Sequence, residues 1–245
     1  DGSTGAIYLE RVKLRPPETT NTFSTLLQWA NEFCDIQIRA NADTVEDAKV
    51  ALFYEVDGIG LCRTEHMFTD SNRINLVRQM ILTNSDKERG SIIERLLPIQ
   101  KEDFIDLFKE MSNLPVTIRL LDPPLHEFLP NSKQEIQRTA NLMAITEQQL
   151  ADRIKDLSEF NPMLGTRGVR LGVMVPEIYD MQVKAIFLAA IEVFKKYKIV
   201  VNPEIMIPLI SANKEVDLVR DRIKKVFSQL NKNNIVDLKY KLGVM

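Results

Sequence analysis

Five short β-rich runs, separated by longer helical patterns, constrain this chain more than any other feature. The runs are Ile36 to Ala40, Gly58 to Arg63, Val116 to Leu121, Ile205 to Ile210 and Leu242 to the end. Between them, apolar residues recur at helical spacing around residues 43–55, 71–83, 85–112, 134–157, 176–197 and 213–231. Strands joined by helix-length crossovers run parallel, since a tight hairpin cannot return the chain to the same end of a sheet. The punctuation agrees: Asp43 and Ser85 stand as caps, Pro115 and Pro203 precede strands, and Pro176 opens a helix. Such alternation fits either an open doubly wound sheet or part of a (β/α) barrel. A polar or charged cluster follows each run but the last, and a barrel collects its active site at those strand ends.

The N-terminal segment is organised differently. After a glycine-rich turn, Ala6-Ile7-Tyr8-Leu9 alternates as a short strand that Pro16-Pro17 would end. Behind Thr20-Asn21-Thr22, the residues Phe23, Leu26, Leu27, Ala30 and Phe33 predict a helix over 22–34. A length of 245 residues suits one large domain or two small ones. With 32 Lys and Arg against 34 Asp and Glu, the chain lacks the cationic excess that nucleic-acid binding requires. It also has no apolar run of eighteen residues and no basic, apolar leader, so neither membrane nor export is expected and the location reads as cytoplasmic. Cys34 and Cys62 are too few for a disulfide framework, and Cys62 reads as a small buried hydrophobe.

Three constellations could carry chemistry. In Gly58-Ile59-Gly60-Leu61-Cys62-Arg63-Thr64-Glu65-His66-Met67-Phe68, an apolar strand ends on Arg63. Anion binding and a plain surface pair with Glu65 are both open to that arginine. In Val116-Thr117-Ile118-Arg119-Leu120-Leu121-Asp122, a guanidinium interrupts an apolar strand, which demands a carboxylate such as Asp122 or a bound ligand. Neighbouring parallel strands lie about 4.8 Å apart, so Arg63 and Arg119 could close on one phosphate. The third, Asn161-Pro162-Met163-Leu164-Gly165-Thr166-Arg167-Gly168-Val169-Arg170, has glycines that could admit an anion but lacks a P-loop ending; a structural turn is the plainer alternative. His66 and His126 lie at no metal-binding spacing and are expected to make local hydrogen bonds.

Together these stretches, with Pro203-Glu204-Ile205-Met206-Ile207-Pro208-Leu209 following in order, resemble the phosphoenolpyruvate (PEP)-utilising family, with wording closest to its pyruvate, phosphate dikinase branch. The resemblance implies an incomplete TIM-type (β/α)8 barrel of about five of eight strands, preceded by a short linker strand and helix. It implies that residues 1–15 are the remnant of a swivelling phosphohistidine domain and its exit linker, and that 16–245 begin the PEP/pyruvate-binding barrel. Arg63 and Arg119 would hold the substrate phosphate, with Arg167 assisting. The family reaction converts ATP, phosphate and pyruvate to AMP, pyrophosphate and PEP, with Mg²⁺ stabilising an enolate and a cysteine protonating it.

The resemblance further implies that the family's metal-binding glutamate lies past Met245. The phosphohistidine, the proton-donor cysteine and the nucleotide-binding domain have no counterpart here, so no catalytic residue and no metal ligand is assigned, and the chain alone is expected to be inactive. PEP synthase, the enzyme I component of sugar phosphotransferase systems, and a non-catalytic module for an anion or protein partner stay open as alternatives. A barrel cut after five strands should expose strand edges and an apolar interior, so homo-oligomerisation, swapping or a mobile last strand is expected.

Overall fold

The computed structural model describes residues 2–10, 13, 20–68, 71–122, 124–158, 161, 164–231 and 238–245. Two compact units divide the chain, Asp1–Gln37 and Ile38–Met245. In the first unit, α1 (Asn21–Phe33) starts at Thr20, whose Oγ1 accepts the Phe23 amide at 3.2 Å. Phe23, Leu26, Trp29 and Phe33 are all exposed on it. The expected strand at Ala6–Leu9 does not form, and Ile7 and Leu9 stand 89% and 98% exposed. Alternation specifies a strand only where a neighbouring strand completes the backbone hydrogen bonds, and among the described residues no strand pairs with this segment. The expected stop at Pro16-Pro17 lies outside the described residues.

The second unit is built on five parallel strands, β1 (Arg39–Asn41), β2 (Gly58–Arg63), β3 (Pro115–Arg119), β4 (Asn202–Ile207) and β5 (Lys241–Val244). They are neighbours in strict sequence order. A doubly wound sheet reverses its order at a switch point, whereas a (β/α) barrel adds each strand beside the last. The order therefore resolves the alternation into an incomplete barrel. The helices around it are α2 (Val45–Phe53), α3 (Ser71–Leu82), α4 (Asp86–Glu110), α5 (Lys133–Met143), α6 (Glu147–Leu157), α7 (Gly168–Met174), α8 (Pro176–Tyr197) and α9 (Asn213–Leu230).

Period-two alternation gives the sheet two different faces. Val116, Ile118, Ile205 and Ile207 are fully buried in one core with Leu96, Phe104 and Phe108 of α4 and Phe187 of α8. Each such side chain contributes roughly 1.5–3 kcal/mol through loss of apolar surface to water. The opposite face is polar, contrary to the apolar interior expected of a cut barrel. There Arg39 of β1 donates to Glu204 Oε2 of β4 at 2.5 Å, Thr117 of β3 donates to the same oxygen at 2.8 Å, and Lys241 of β5 reaches Oε1 at 3.1 Å. A polar layer of this kind holds the strands together without an apolar surface to hide. The edges of β1 and β5 have no neighbour among the described residues.

Several local expectations shift: Thr44 rather than Asp43 caps α2, and β4 runs Asn202–Ile207 rather than Ile205–Ile210. The run at Ile36–Ala40 becomes a strand only from Arg39, and Ile36 and Ile38 stay exposed. The helical pattern over 134–157 is two helices, because Ala144 adopts the left-handed conformation at φ 52°, and a second capping box, Thr146 with Gln149, starts α6. The stretch 161–170, read as one tight loop, gives way to helix at Gly168, where α7 begins.

Candidate anion site at the strand ends

The C-terminal ends of β2 and β3 bring the expected arginines together. Arg63 and Arg119 are register partners across these strands, so both lie on the face away from the helices. Arg63 donates its backbone amide to Asp43 Oδ1 at 2.6 Å and Nη1 to Asp43 Oδ2 at 3.1 Å. The pairing of Arg63 with Glu65, open from the sequence, is not what forms. Glu65 turns instead to Arg119 Nη2. Arg119 Nη1 lies 3.1 Å from Asp122 Oδ2, the carboxylate that a guanidinium in an apolar strand calls for.

Arg167 joins the same cluster from the loop before α7. Its Nη2 is 3.1 Å from Asp122 Oδ2, and its Nε donates to the Asp122 carbonyl at 3.2 Å. Gly168 makes this approach possible: its φ is +54°, and a Cβ there would stand 3.0 Å from Asp122 Oδ1. Arg170 instead donates to the Gly165 carbonyl at 2.8 Å and braces the loop. Pro162 and Met163 of that motif lie outside the described residues.

The charges in this cluster balance, three guanidinium groups against Asp43, Glu65 and Asp122. The hydrogen bonds do not. Arg119 Nε, Glu65 Oε2 and Asp122 Oδ1 are buried without a partner among the described residues. Native interiors satisfy nearly all such atoms, and the exceptions concentrate where water, an ion or a ligand belongs. The carboxylates fix the three arginines in place, and of the Arg119 guanidinium the Nε–H is the donor left unmatched among the described residues. The side chain of Arg63 is 32% exposed and that of Arg119 is 10% exposed, which puts Arg63 on the solvent side of the cluster.

A buried network that sequence reasoning missed lies beneath the arginines. Thr64 Oγ1 donates to the Arg119 carbonyl at 3.0 Å, and Gln182 of α8 donates to Thr64 Oγ1 at 3.0 Å while accepting the Leu121 amide at 2.8 Å. Tyr179 donates to the Leu121 carbonyl at 3.0 Å, and burial pushes its phenol well above the ordinary range. Its ring fills the space above Gly172, where a Cβ would stand 2.3 Å from a ring carbon. The available signal was a glutamine and a tyrosine on the buried stripe of the 176–197 helical pattern.

The remaining candidates fall outside the chemistry. Cys62 is buried, and burial, followed by Asp43 and Glu65, pushes its thiol far up, as befits a small core residue. His66 Nδ1 lies 2.9 Å from Asp43 Oδ2. His126 departs from the expectation of local bonding, since its Nδ1 is buried with no partner among the described residues. A cavity of about 260 Å³ is lined by Asp43, His66, Arg73 and Asp103 among others. Among the described residues no group of three or more His, Cys, Asp or Glu side chains is placed to hold a metal, and no helix is long and apolar enough to cross a membrane.

A pyruvate, phosphate dikinase of Rhizobium meliloti is 44% identical over 245 residues, all of this chain and 27% of that protein. Those of Clostridium symbiosum and Giardia intestinalis are each 42% identical over the same 245 residues, 28% of each protein. The chain thus spans little more than a quarter of the length of the curated relatives it matches. A family profile described as "PEP-utilising enzyme, PEP-binding domain" matches residues 17–245, and the chain therefore belongs to that family.

Proposed function

We propose that this chain carries the phosphate-gripping half of a PEP/pyruvate site, with Arg63, Arg119 and Arg167 as the substrate-binding residues. The observation that carries this reading is the register pairing of Arg63 with Arg119, together with the unpartnered buried atoms of Arg119, Glu65 and Asp122 around them. Phosphoryl transfer asks mainly for positioned positive charge around the equatorial oxygens, and forked donors from two strands and a loop supply it. Arg63, the most exposed of the three, exchanges part of its contact with Asp43 for the incoming phosphate. Arg119 and Arg167 stay clamped by Glu65 and Asp122 and contribute their positive charge, with the buried Arg119 Nε still without an acceptor among the described residues. Because the cluster is electrically balanced before the dianion arrives, affinity is weak, on the order of millimolar, about −4 kcal/mol.

The longer protein to which such a domain belongs would interconvert ATP, phosphate and pyruvate with AMP, pyrophosphate and PEP. Its PEP site would receive the phosphoryl group from a phosphohistidine domain, and residues 1–15 would be that domain's exit. Mg²⁺ would supply charge for the enolate in that protein. The described residues hold no donor set that fits the ion, so no step here runs through it.

A second reading is favoured by one observation: each arginine already has a carboxylate, so the cluster could be purely structural, within a non-catalytic module. Titration of PEP into the wild type and Arg119→Ala, followed by NMR, separates the two. Binding lost on substitution supports the substrate site. Indifference to the substitution, with the fold intact, leaves only the structural role. Which member of the family this is, dikinase, PEP synthase or enzyme I, would follow from the domains encoded upstream.

A further inference from the structure

We propose that Gln182 is a positioning residue of the anion site, acting through Thr64 on Arg119; the proposal rests on the substrate-site reading above. Gln182 belongs to α8, outside the motifs at the strand ends, and is fully buried. Its side-chain amide uses both ends. Oε1 accepts the Leu121 amide at 2.8 Å, just past β3, and Nε2 donates to Thr64 Oγ1 at 3.0 Å, just past β2. Thr64, also fully buried, donates its hydroxyl hydrogen bond to the Arg119 carbonyl at 3.0 Å.

The order of donors and acceptors gives the chain a direction. A hydroxyl can rotate its single hydrogen toward any acceptor. With the Gln182 amide filling an acceptor position of Thr64, that hydrogen is committed to the Arg119 carbonyl. One glutamine therefore ties together the two strand ends that carry Arg63 and Arg119, and fixes the backbone from which Arg119 projects. Tyr179, one turn earlier on the same helix, holds the Leu121 carbonyl at 3.0 Å. The helix thus grips both the amide and the carbonyl of the residue that precedes Asp122. An error in backbone placement here moves a guanidinium relative to its neighbour on β2, and two-point binding of a phosphate depends on that spacing. Its two partners lie just past two different strands, so satisfying this one amide couples both strand ends.

The test is a double-mutant cycle on PEP affinity with the full chain: wild type, Gln182→Met, Thr64→Val and the pair. The expected result is a loss of affinity of about threefold to tenfold for either single variant and little further loss for the pair, since both break one relay. The Nε–Hε signals of arginine supply a second readout, because loss of the relay should broaden or shift Arg119 while leaving Arg222 on α9 unchanged. Unaltered PEP affinity in Gln182→Met, or effects of the two substitutions that simply multiply, would overturn the proposal. Should a variant melt too early to titrate, Gln182→Glu decides: its protonated form restores the donor to Thr64, so PEP affinity should recover as pH falls, and a flat profile would count against the relay. If the wild type itself binds no PEP, the substrate-site reading falls, and the Arg119 signal in Gln182→Met still decides whether Gln182 positions that residue.

Discussion

Substitution of Glu204 should reveal how much of the barrel is held from within. The carboxylate sits on the inner face, 15% exposed, and takes hydrogen bonds from Arg39, Thr117 and Lys241, side chains of β1, β3 and β5. β1 and β4 are three strand spacings apart, about 14 Å of sheet. Removing one partner of a buried ion pair costs about 3–5 kcal/mol, mostly because the other charge is left stranded. Arg39 retains 25% exposure and can recover some hydration, so Glu204→Leu should cost about 2–3 kcal/mol. In urea, with a slope of about 2 kcal/mol/M, the midpoint should fall by roughly 1 M. Removing both charges, as Arg39→Met with Glu204→Leu, strands neither, so the double variant should be more stable than Glu204→Leu alone.

Acid adds an independent check on the same group. Burial raises the Glu204 carboxyl, but the bonds from Arg39, Thr117 and Lys241 outweigh it and hold the group below its ordinary 4.5. A depressed folded value means stability fully present above about pH 4.5 and lost as pH falls through the folded value. Glu204→Leu should lack that part of the acid dependence. A double variant as unstable as the single one, or a single variant as stable as the wild type, would refute the stranded-charge reasoning.

Other outcomes follow from single observations. Both side-chain amide atoms of the fully buried Gln100 are unpartnered among the described residues, so Gln100→Met should stabilise by about 1 kcal/mol in urea denaturation, and destabilisation would imply an internal water partner. In the folded chain a thiol reagent should modify exposed Cys34 and spare buried Cys62, whose thiol is pushed up; rapid labelling of both would contradict the packing around β2. The edges of β1 and β5, unpaired among the described residues, should drive concentration-dependent association in light scattering, and a monomer at every concentration would show the edges to be protected.

Much of the fold was legible because period and punctuation act locally. The strand at Gly58–Arg63 and the helix at Pro176–Tyr197 match their sequence expectations to the residue, one set by alternation, the other by a proline at its start. The break at Ala144 was not legible, since alanine carries no signal for a left-handed turn, although the Thr146 capping box two residues later was available. Sheet order was out of reach of periodicity and needed the coordinates to choose barrel over doubly wound sheet. At the site, the burial problem posed by Arg119 in an apolar strand led to Asp122 directly. The partner of Arg63 stayed open in the sequence because Asp43 comes from a different strand end, a juxtaposition that sequence spacing does not encode. Gln182 went unnoticed for the same reason: its partners are 61 and 118 residues away.

A crystal structure of this chain soaked with PEP would test most directly whether Arg63 and Arg119 grip one dianion. The expected map shows the phosphate within hydrogen-bonding distance of both guanidinium groups, with Arg63 drawn off Asp43 and Arg119 still held by Glu65. Phosphate density elsewhere, or none at saturating ligand with both arginines still on their carboxylates, would contradict a shared substrate site.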